Sequence, residues 1–379
     1  MIKYRIDQIT ENLDNLRKPL NSIERNKISK KKLYPYYGAN NLMDYVDEYI
    51  FDEEILCVAE DGGNWGYTEK CTYIVNEKCW VNNHAHVLKA KDNLNIAYLS
   101  YYLNYNNLNS YITGTTRGKL TKTALSNIEI LLPELEKQNI IVEILDKAQK
   151  LIDKRKEQIK ELDDLVKSQF IKMFGDPVQN PFGWNIRPFL DSGNCKNGMN
   201  FSATETGVEL QYLGVGDFKD LSKIEDVNNL GKVSLNKMPS TEYLLQDGDI
   251  VFVRSNGNKA LVGRCLAVYP NGIPTTYSGF CIRYRKTDKS LEIPYLLHVL
   301  KTDSMRKNMA GRGANIQNLN QQILSELMIP IPPIELQNEF ADFVKQVDKL
   351  KFEMENSLKE LEDNVNSLMQ KAFKGELFI

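Results

Sequence analysis

Two stretches decide the fold: LSNIEILLPELEKQNIIVEILDKAQKLI at residues 125–152 and LSELMIPIPPIELQNEFADFVKQVDKL at residues 324–350. They align without a gap at an offset of 199 residues. Leu125, Ser126, Pro133, Glu136 and Gln138 fall on Leu324, Ser325, Pro332, Glu335 and Gln337. The same offset carries Lys160, Glu161, Leu162, Asp164, Ser168, Lys172 and Phe174 onto Lys359, Glu360, Leu361, Asp363, Ser367, Lys371 and Phe373. Polar identities are matched as well as apolar ones, so the chain is built twice.

Downstream of each proline the sequence is rich in helix formers, with no glycine until Gly175 in the first copy and Gly375 in the second. Pro133 stands at the start of its segment, where a helix tolerates it. Apolar residues recur in steps of three and four: Ile141, Leu145, Ala148, Ile152, Ile159, Leu162, Val166 and, after a gap, Met173. The second copy gives Phe340, Val344, Val347, Met354, Leu358, Leu361 and Val365, continuing to Leu368 and Ala372. Arg155 and Gln169 interrupt the first stripe and Lys351 the second. A heptad stripe sustained this long implies a helical partner. About 40 residues at 1.5 Å each make a rod of roughly 60 Å, which needs a long surface to pack on. The two helices are expected to pair with each other. Antiparallel pairing closes two head-to-tail repeats around an approximate two-fold axis, although heptads alone also permit parallel pairing. Gly175 ends the first helix and Pro177 stops its continuation.

The upstream parts are related more loosely. FDEEILCVAEDGG (51–63) matches LQDGDIVFVRSNG (245–257) at an offset of 194, each a turn, a short buried strand and a polar loop. His84-Ala85-His86-Val87 falls on Gly279-Phe280-Cys281-Ile282, and AYLSYYL (97–103) on PYLLHVL (294–300). The expected organisation is α+β. A first globular part occupies residues 1–132 and a helix 133–176; a linker at 177–184 leads to a second globular part at 185–331 and a second helix at 332–379. The two helices are expected to form an antiparallel coiled coil with pseudo-two-fold symmetry.

The 379 residues carry 48 Lys+Arg and 50 Asp+Glu, a net charge of −2. This excludes a wholly basic binder but not one whose positive groups are local. The two helical segments hold 15 basic and 20 acidic residues, which leaves 33 basic and 30 acidic residues elsewhere. The globular parts are thus the modestly basic portion, the right place for a polyanion. Candidates there are Lys30 and Lys31 in a lysine cluster, then Arg117, Lys119 and Lys122 in TGTTRGKLTK (113–122). In the second part they are Arg254, Asn256, Lys259, Arg264 and Arg306, then Arg312 and Gln317 in MAGRGANIQNLN (309–320). Arg283, Arg285 and Lys307 add to the basic count of that part. Loops of this composition can approach a phosphate backbone through N–H groups while Arg or Gln reads a base edge. Glu60-Asp61-Gly62 aligns with Arg254-Ser255-Asn256, so the copies differ where they would meet a ligand. An acidic pair there can accept from a cytosine amine or hold its own loop.

Catalytic signatures are missing. There is no P-loop, no GxSxG and no zincin motif. His84 and His86 would point the same way on a strand, but zinc would need further ligands, and Cys79 is only a speculative third. NPFG (180–183) reads as a turn. Six cysteines without CxxC spacing fit neither a disulfide scaffold nor a zinc finger. No apolar run is long enough for a membrane span, and the start has no apolar signal core, so a cytoplasmic protein is expected.

The two proline–E–Q entries into long helices, together with the ends KSQFIKMFGD and NSLMQKAFKGEL, resemble the paired conserved regions of specificity subunits of Type I restriction-modification systems. The resemblance covers the whole chain, as two target-recognition domains each followed by a spacer helix. It implies a non-catalytic subunit that binds a bipartite, asymmetric double-stranded DNA target, one half-site per recognition domain. It also implies two methyltransferase subunits and further restriction subunits as partners. S-adenosylmethionine, ATP and Mg would belong to those partners, and this chain would bind no cofactor and no membrane. The reading from a different class is a coiled-coil structural adaptor with two protein-binding heads. A third is an enzyme with a catalytic centre in each head.

Overall fold

The computed structural model describes residues 2–114, 116–202, 204–218, 222–310 and 318–377. The chain divides into two compact units, one of residues 1–157 with 354–379 and the other of residues 158–353.

In the first unit the strand Ile55–Ala59 is buried throughout, as a run of apolar side chains on both faces requires. It pairs antiparallel with Thr72–Val75 on one side and Ala85–Ala90 on the other, and Thr10–Asn12 completes a four-stranded sheet. A three-stranded sheet is built from Asn41–Val46, Tyr34–Gly38 and Trp80–Val81, the last pairing parallel. Asn95 caps the helix Ile96–Tyr105 by accepting from the N–H groups of Ala97 and Tyr98. Ile2–Arg5 pairs antiparallel with Glu129–Leu132, the strand that feeds the long helix.

The second unit repeats this order. Asp249–Val253 is buried throughout and lies between Cys265–Val268 and Cys281–Lys286, both antiparallel to it. Gly193–Asn197 and Lys223–Ile224 extend the sheet to five strands. Gly231–Leu235, Val208–Leu213 and Thr275–Tyr277 form the smaller sheet, again with one parallel pairing. Asn185–Pro188 pairs with Met328–Ile331 ahead of the second long helix.

The glutamine of each proline–E–Q entry is fully buried, and its amide explains the motif. The Gln138 carbonyl accepts from the Asn95 N–H at 2.8 Å, and its NH2 donates to the carbonyls of Pro133 (2.8 Å) and Asn93 (3.0 Å). Gln337 does the same with Glu292 (2.9 Å), Pro332 (2.9 Å) and Ser290 (3.0 Å). One buried side chain thereby satisfies three backbone groups where a loop, a helix start and a strand end converge. Tyr98 and Tyr295 act as a second matched pair, each donating its hydroxyl at 2.9 Å to a strand carbonyl, of Leu131 and Pro330 respectively.

The long helices run Leu135–Phe174 (40 residues) and Ile334–Lys374 (41 residues). Each unit contains the start of one and the end of the other. In the first, Ile141, Val142 and Leu145 share a core with Ala372 and Phe373, and Lys156 pairs with Glu362 at 2.8 Å. In the second, Phe170 and Phe174 pack on Phe340, and Lys351 pairs with Asp163 at 2.7 Å. In both, moving forward along one helix means moving backward along the other, so the pairing is antiparallel. Ile152, Leu162, Val166, Val347 and Val365 are buried on this seam. Ala148, Ile159, Val344, Met354, Leu358 and Leu361 are half-buried. The expected step from Val166 to Met173 needs correction: Phe170 and Phe174 continue the buried stripe in steps of four, and Met173 is only half-buried. Lys351 interrupts the stripe without a buried charge, because its stem covers the seam while its ammonium reaches Asp163.

Gly175 has φ +74° and its N–H bonds the Ile171 carbonyl, closing the first long helix; Gly375, at φ +80°, closes the second. The segment that follows Gly175 is folded rather than an open linker. Asp176 accepts from the N–H groups of Val178 and Gln179, NPFG forms a turn, and the Trp184 indole donates to the last helical carbonyl, that of Phe174, at 3.0 Å. Among the described residues no helix is long and apolar enough to cross a membrane.

Candidate nucleic-acid interface

In the first unit, the short strands Ile112–Thr113 and Lys119–Leu120 form a hairpin. Gly114 turns it at φ +97°, where a Cβ would lie 2.4 Å from the Arg117 carbonyl oxygen. The hairpin is anchored by Leu120, a fully buried side chain whose N–H donates to the Glu60 carbonyl at 2.8 Å. Asp61 and Lys119 form a β-bridge beside it.

Beneath the hairpin lies an ion network that ties it to three other chain segments. Arg17 donates to Glu60 (2.7 Å) and the Ala85 carbonyl (2.7 Å), and also contacts Asp14 (3.3 Å). His86 is 1% exposed, with Nδ1 2.6 Å from Asp14 and Nε2 2.8 Å from the Leu120 carbonyl. Both contacts are hydrogen bonds only when the ring donates from both nitrogens. Lys119 reaches Glu60 at 3.0 Å. Burial alone would raise both carboxyls, but the His86 contact at Asp14 and the Arg17 and Lys119 contacts at Glu60 outweigh it and hold both below the usual carboxylate range. Asp14, Glu60 and His86 place three ligand-type atoms within 4.8 Å of one another. Arg17 already touches both carboxylates, so this grouping is a structural ion network. The expectation that His84 and His86 share a strand face is corrected: the strand begins at Ala85, His86 goes to Asp14, and His84 goes to Asp61 at 2.9 Å.

Of the first-part candidates, Arg117 and Lys119 come together on this hairpin. Arg117 is ion-paired with Asp61 at 2.6 Å and Lys119 with Glu60. The acidic pair that aligns with Arg254-Ser255 therefore holds its own loop. Lys122 is exposed at the start of the helix Lys122–Ser126, which Thr121 caps. Lys30 and Lys31 belong to a different surface element. Their N–H groups, with that of Lys32, wrap the Asp47 carboxylate at 2.9, 2.7 and 2.7 Å and leave the side chains exposed. Against the raising effect of desolvation, these three donors hold Asp47 below its ordinary value.

The second unit is anchored in the matching way. The Leu319 N–H donates to the Arg254 carbonyl at 2.8 Å, Leu319 is fully buried, and Ser255 bridges Asn318. Asn320 caps the following helix as Thr121 does in the first unit. Arg254 donates to the Gly279 carbonyl at 3.4 Å. Asn256 accepts from the Asn258 N–H in the loop that carries the exposed Lys259. Arg306, on the helix Asp303–Ala310, donates to the carbonyls of Ala260 and Val262 and ties that helix to the same loop. Arg264 is half-buried at the loop's end. The structure thus gathers Arg254, Asn256, Lys259 and Arg306 around one loop, while Arg312 and Gln317 lie outside the described residues. Arg283 and Arg285 are structural: Arg283 is buried against Asn194, and Arg285 makes a two-point ion pair with the buried Asp249. Sequence reading missed Arg17 and Asp14. Their i, i+3 spacing is visible, but their link to residues 60 and 86 is made only by the sheet.

A family model for the Type I restriction modification DNA specificity domain matches residues 3–163 and 211–363, most of the chain. The chain belongs to the specificity subunits of Type I restriction-modification systems. As a specificity subunit it is a non-catalytic, DNA-binding scaffold component of such a system. It is 28% identical over 353 residues to a putative type I restriction enzyme specificity subunit of Haemophilus influenzae, covering 91% of this chain and 87% of that one. The MjaVIII specificity subunit of Methanocaldococcus jannaschii is 26% identical over 353 residues, covering 84% and 80%. In fold, this specificity subunit is similar to the crystal structure of the Type I restriction-modification system S subunit from M. genitalium, with a TM-score of 0.56 at 15% identity over 98% of this chain and 96% of that one. A second solved structure, described as showing complex assembly and conformational transition of the type I R-M system, gives 0.59 at 16% identity over 99% and 98%.

Proposed function

We propose that this specificity subunit reads a bipartite, asymmetric DNA target, with residues 1–132 and 185–331 each serving one half-site. The paired helices 133–176 and 332–379 set the unread gap. In this reading the chain scaffolds two adenine methyltransferase subunits, which bring S-adenosylmethionine, and restriction subunits, which bring ATP and Mg. The observation that carries it is the duplicated anchor, Leu120 on Glu60 and Leu319 on Arg254. It presents at equivalent places two loops of different charge, one acidic and salt-bridged and one basic. Matched frames with unlike surfaces suit two different half-sites. Methylome sequencing of cells that express the chain with its cognate methyltransferase subunit tests the reading. A motif of two unlike halves with a fixed spacer is expected. A continuous motif, or no motif, would overturn it.

A further inference from the structure

The hairpin loop of the first unit presents one arginine in a built setting. The Arg117 guanidinium is ion-paired with Asp61, Nη2 to Oδ1 at 2.6 Å. The His84 ring holds the same carboxylate from another side, with Nδ1 at 3.0 and 2.9 Å from its two oxygens. The Asp61 side chain is 18% exposed, that of His84 40% and that of Arg117 62%, so the carboxylate is mostly covered while the arginine stays open to solvent. The floor is made by glycines. Gly62, at φ +65°, lies under the guanidinium, where a Cβ would stand 2.7 Å from its terminal nitrogen. Gly118 rests on the Trp65 indole, where a Cβ would stand 3.0 Å from the ring. Asn40 donates to the Gly62 carbonyl at 3.1 Å and pins the opposite loop.

We propose that Arg117 reads a guanine in the half-site of the first unit, and that Asp61 is its positioning residue, backed by His84. The proposal rests on the bipartite DNA reading above and adds the residue and the base. An arginine that serves only phosphate gains from an uncompensated charge. A neighbouring carboxylate cancels that gain and would itself be repelled by the backbone. The directional N–H fork survives the pairing, however, and guanine O6 and N7 accept two parallel bonds from such a fork. Fixing one edge of the guanidinium on Asp61 removes rotamer freedom before DNA arrives, so less order is lost on binding. Among the described residues, the second unit has no such clamp. Ser255 stands at the place of Asp61 and Gly279 at that of His84, and the Arg254 guanidinium donates to the Gly279 carbonyl.

The test uses the full chain assembled with its methyltransferase subunit. Duplexes carrying 7-deazaguanine, one guanine at a time, remove the N7 acceptor without changing Watson–Crick pairing. For the unsubstituted chain, one guanine in one half-site is expected to lose roughly tenfold or more in binding on this replacement. In Arg117→Gln the same replacement costs little further, and methylome mapping shows relaxed choice at that base pair with the other half-site intact. Asp61→Asn relaxes the same position more weakly. A normal bipartite motif that Arg117→Gln leaves unchanged, or a uniform loss at all positions with a shallower salt dependence, overturns the arginine assignment. No deazaguanine-sensitive position in the unsubstituted complex overturns it even if the variants fail to fold. Absence of a bipartite motif in the unsubstituted complex instead removes the reading on which the proposal rests.

Discussion

Phe373 packs edge-on against Tyr98, with ring centroids 5.6 Å apart and planes at 75°. Its repeat partner Phe174 meets Tyr295 at 4.7 Å and 61°. In each case the end of one long helix locks onto the short helix of the unit that holds the start of the other long helix. Replacing either phenylalanine with alanine removes a fully packed ring and is expected to cost about 3–5 kcal/mol. Urea denaturation of each variant measures this. A loss under 1 kcal/mol would show that the docking is not needed for stability.

Gln138 and Gln337 should each be intolerant of an apolar substitute. Gln→Leu at either position leaves one N–H and two carbonyls without partners in a buried junction, at about 1–3 kcal/mol for each group that water does not reach. Glutamate keeps the acceptor but loses both donors, so it is expected to be at least as damaging at neutral pH. Equal stability of Gln138→Leu and the unsubstituted chain in denaturant titration would show that water replaces the amide.

Arg17 compensates two carboxylates at once. Arg17→Met is expected to destabilise by about 3–5 kcal/mol, the range for removing one partner from a buried ion network. Asp14 and Glu60 titrate lower in the folded chain than their ordinary 3.8 and 4.5. Their contribution is therefore complete above about pH 4.5 and is lost as pH falls through the lower folded values. Thermal melts at pH 7 and pH 3.5 should show an acid loss that is smaller in Arg17→Met. An equal acid loss in both proteins would place the titrating groups elsewhere.

His298 gives a second pH dependence, at milder acidity. Burial between Phe170 and Phe340 pushes it down to about 4, against the opposing contact of Nδ1 with the Pro294 carbonyl at 2.7 Å. The unfolded chain takes up the proton first, so stability is lost as pH falls from about 6.5 towards 4, by about 2 kcal/mol at pH 5. His298→Phe should abolish this component. A variant whose stability still falls by that amount between pH 7 and pH 5 would refute the assignment.

The spacer reading can be checked by lengthening both helices. Seven residues inserted into each, at the level of the Lys156–Glu362 pair, add one heptad and keep the seam in register. They lengthen the rod by about 10 Å, close to three base pairs of duplex at about 3.4 Å each. Methylome mapping is expected to show both half-sites unchanged and the gap longer by about three base pairs. An unchanged gap would count against a helical ruler.

The sequence by itself determined the duplication, the two long helices, their seam and the matched buried strands. These depend on periodicity and on identities at a constant offset, and both are local properties of the chain. It also located the two loops ahead of the helices, because glycine and polar residues cluster there. Only the tertiary structure decided which charges in those loops are free to act. Arg117, Lys119, Arg283 and Arg285 look alike in sequence. The sheets place Asp61, Glu60, Asn194 and Asp249 beside them, from 36 to 89 residues away in the chain. Whether a cation is a surface contact or an internal strut depends on the carboxylates and carbonyls that folding brings to it, and one-dimensional spacing carries no record of them.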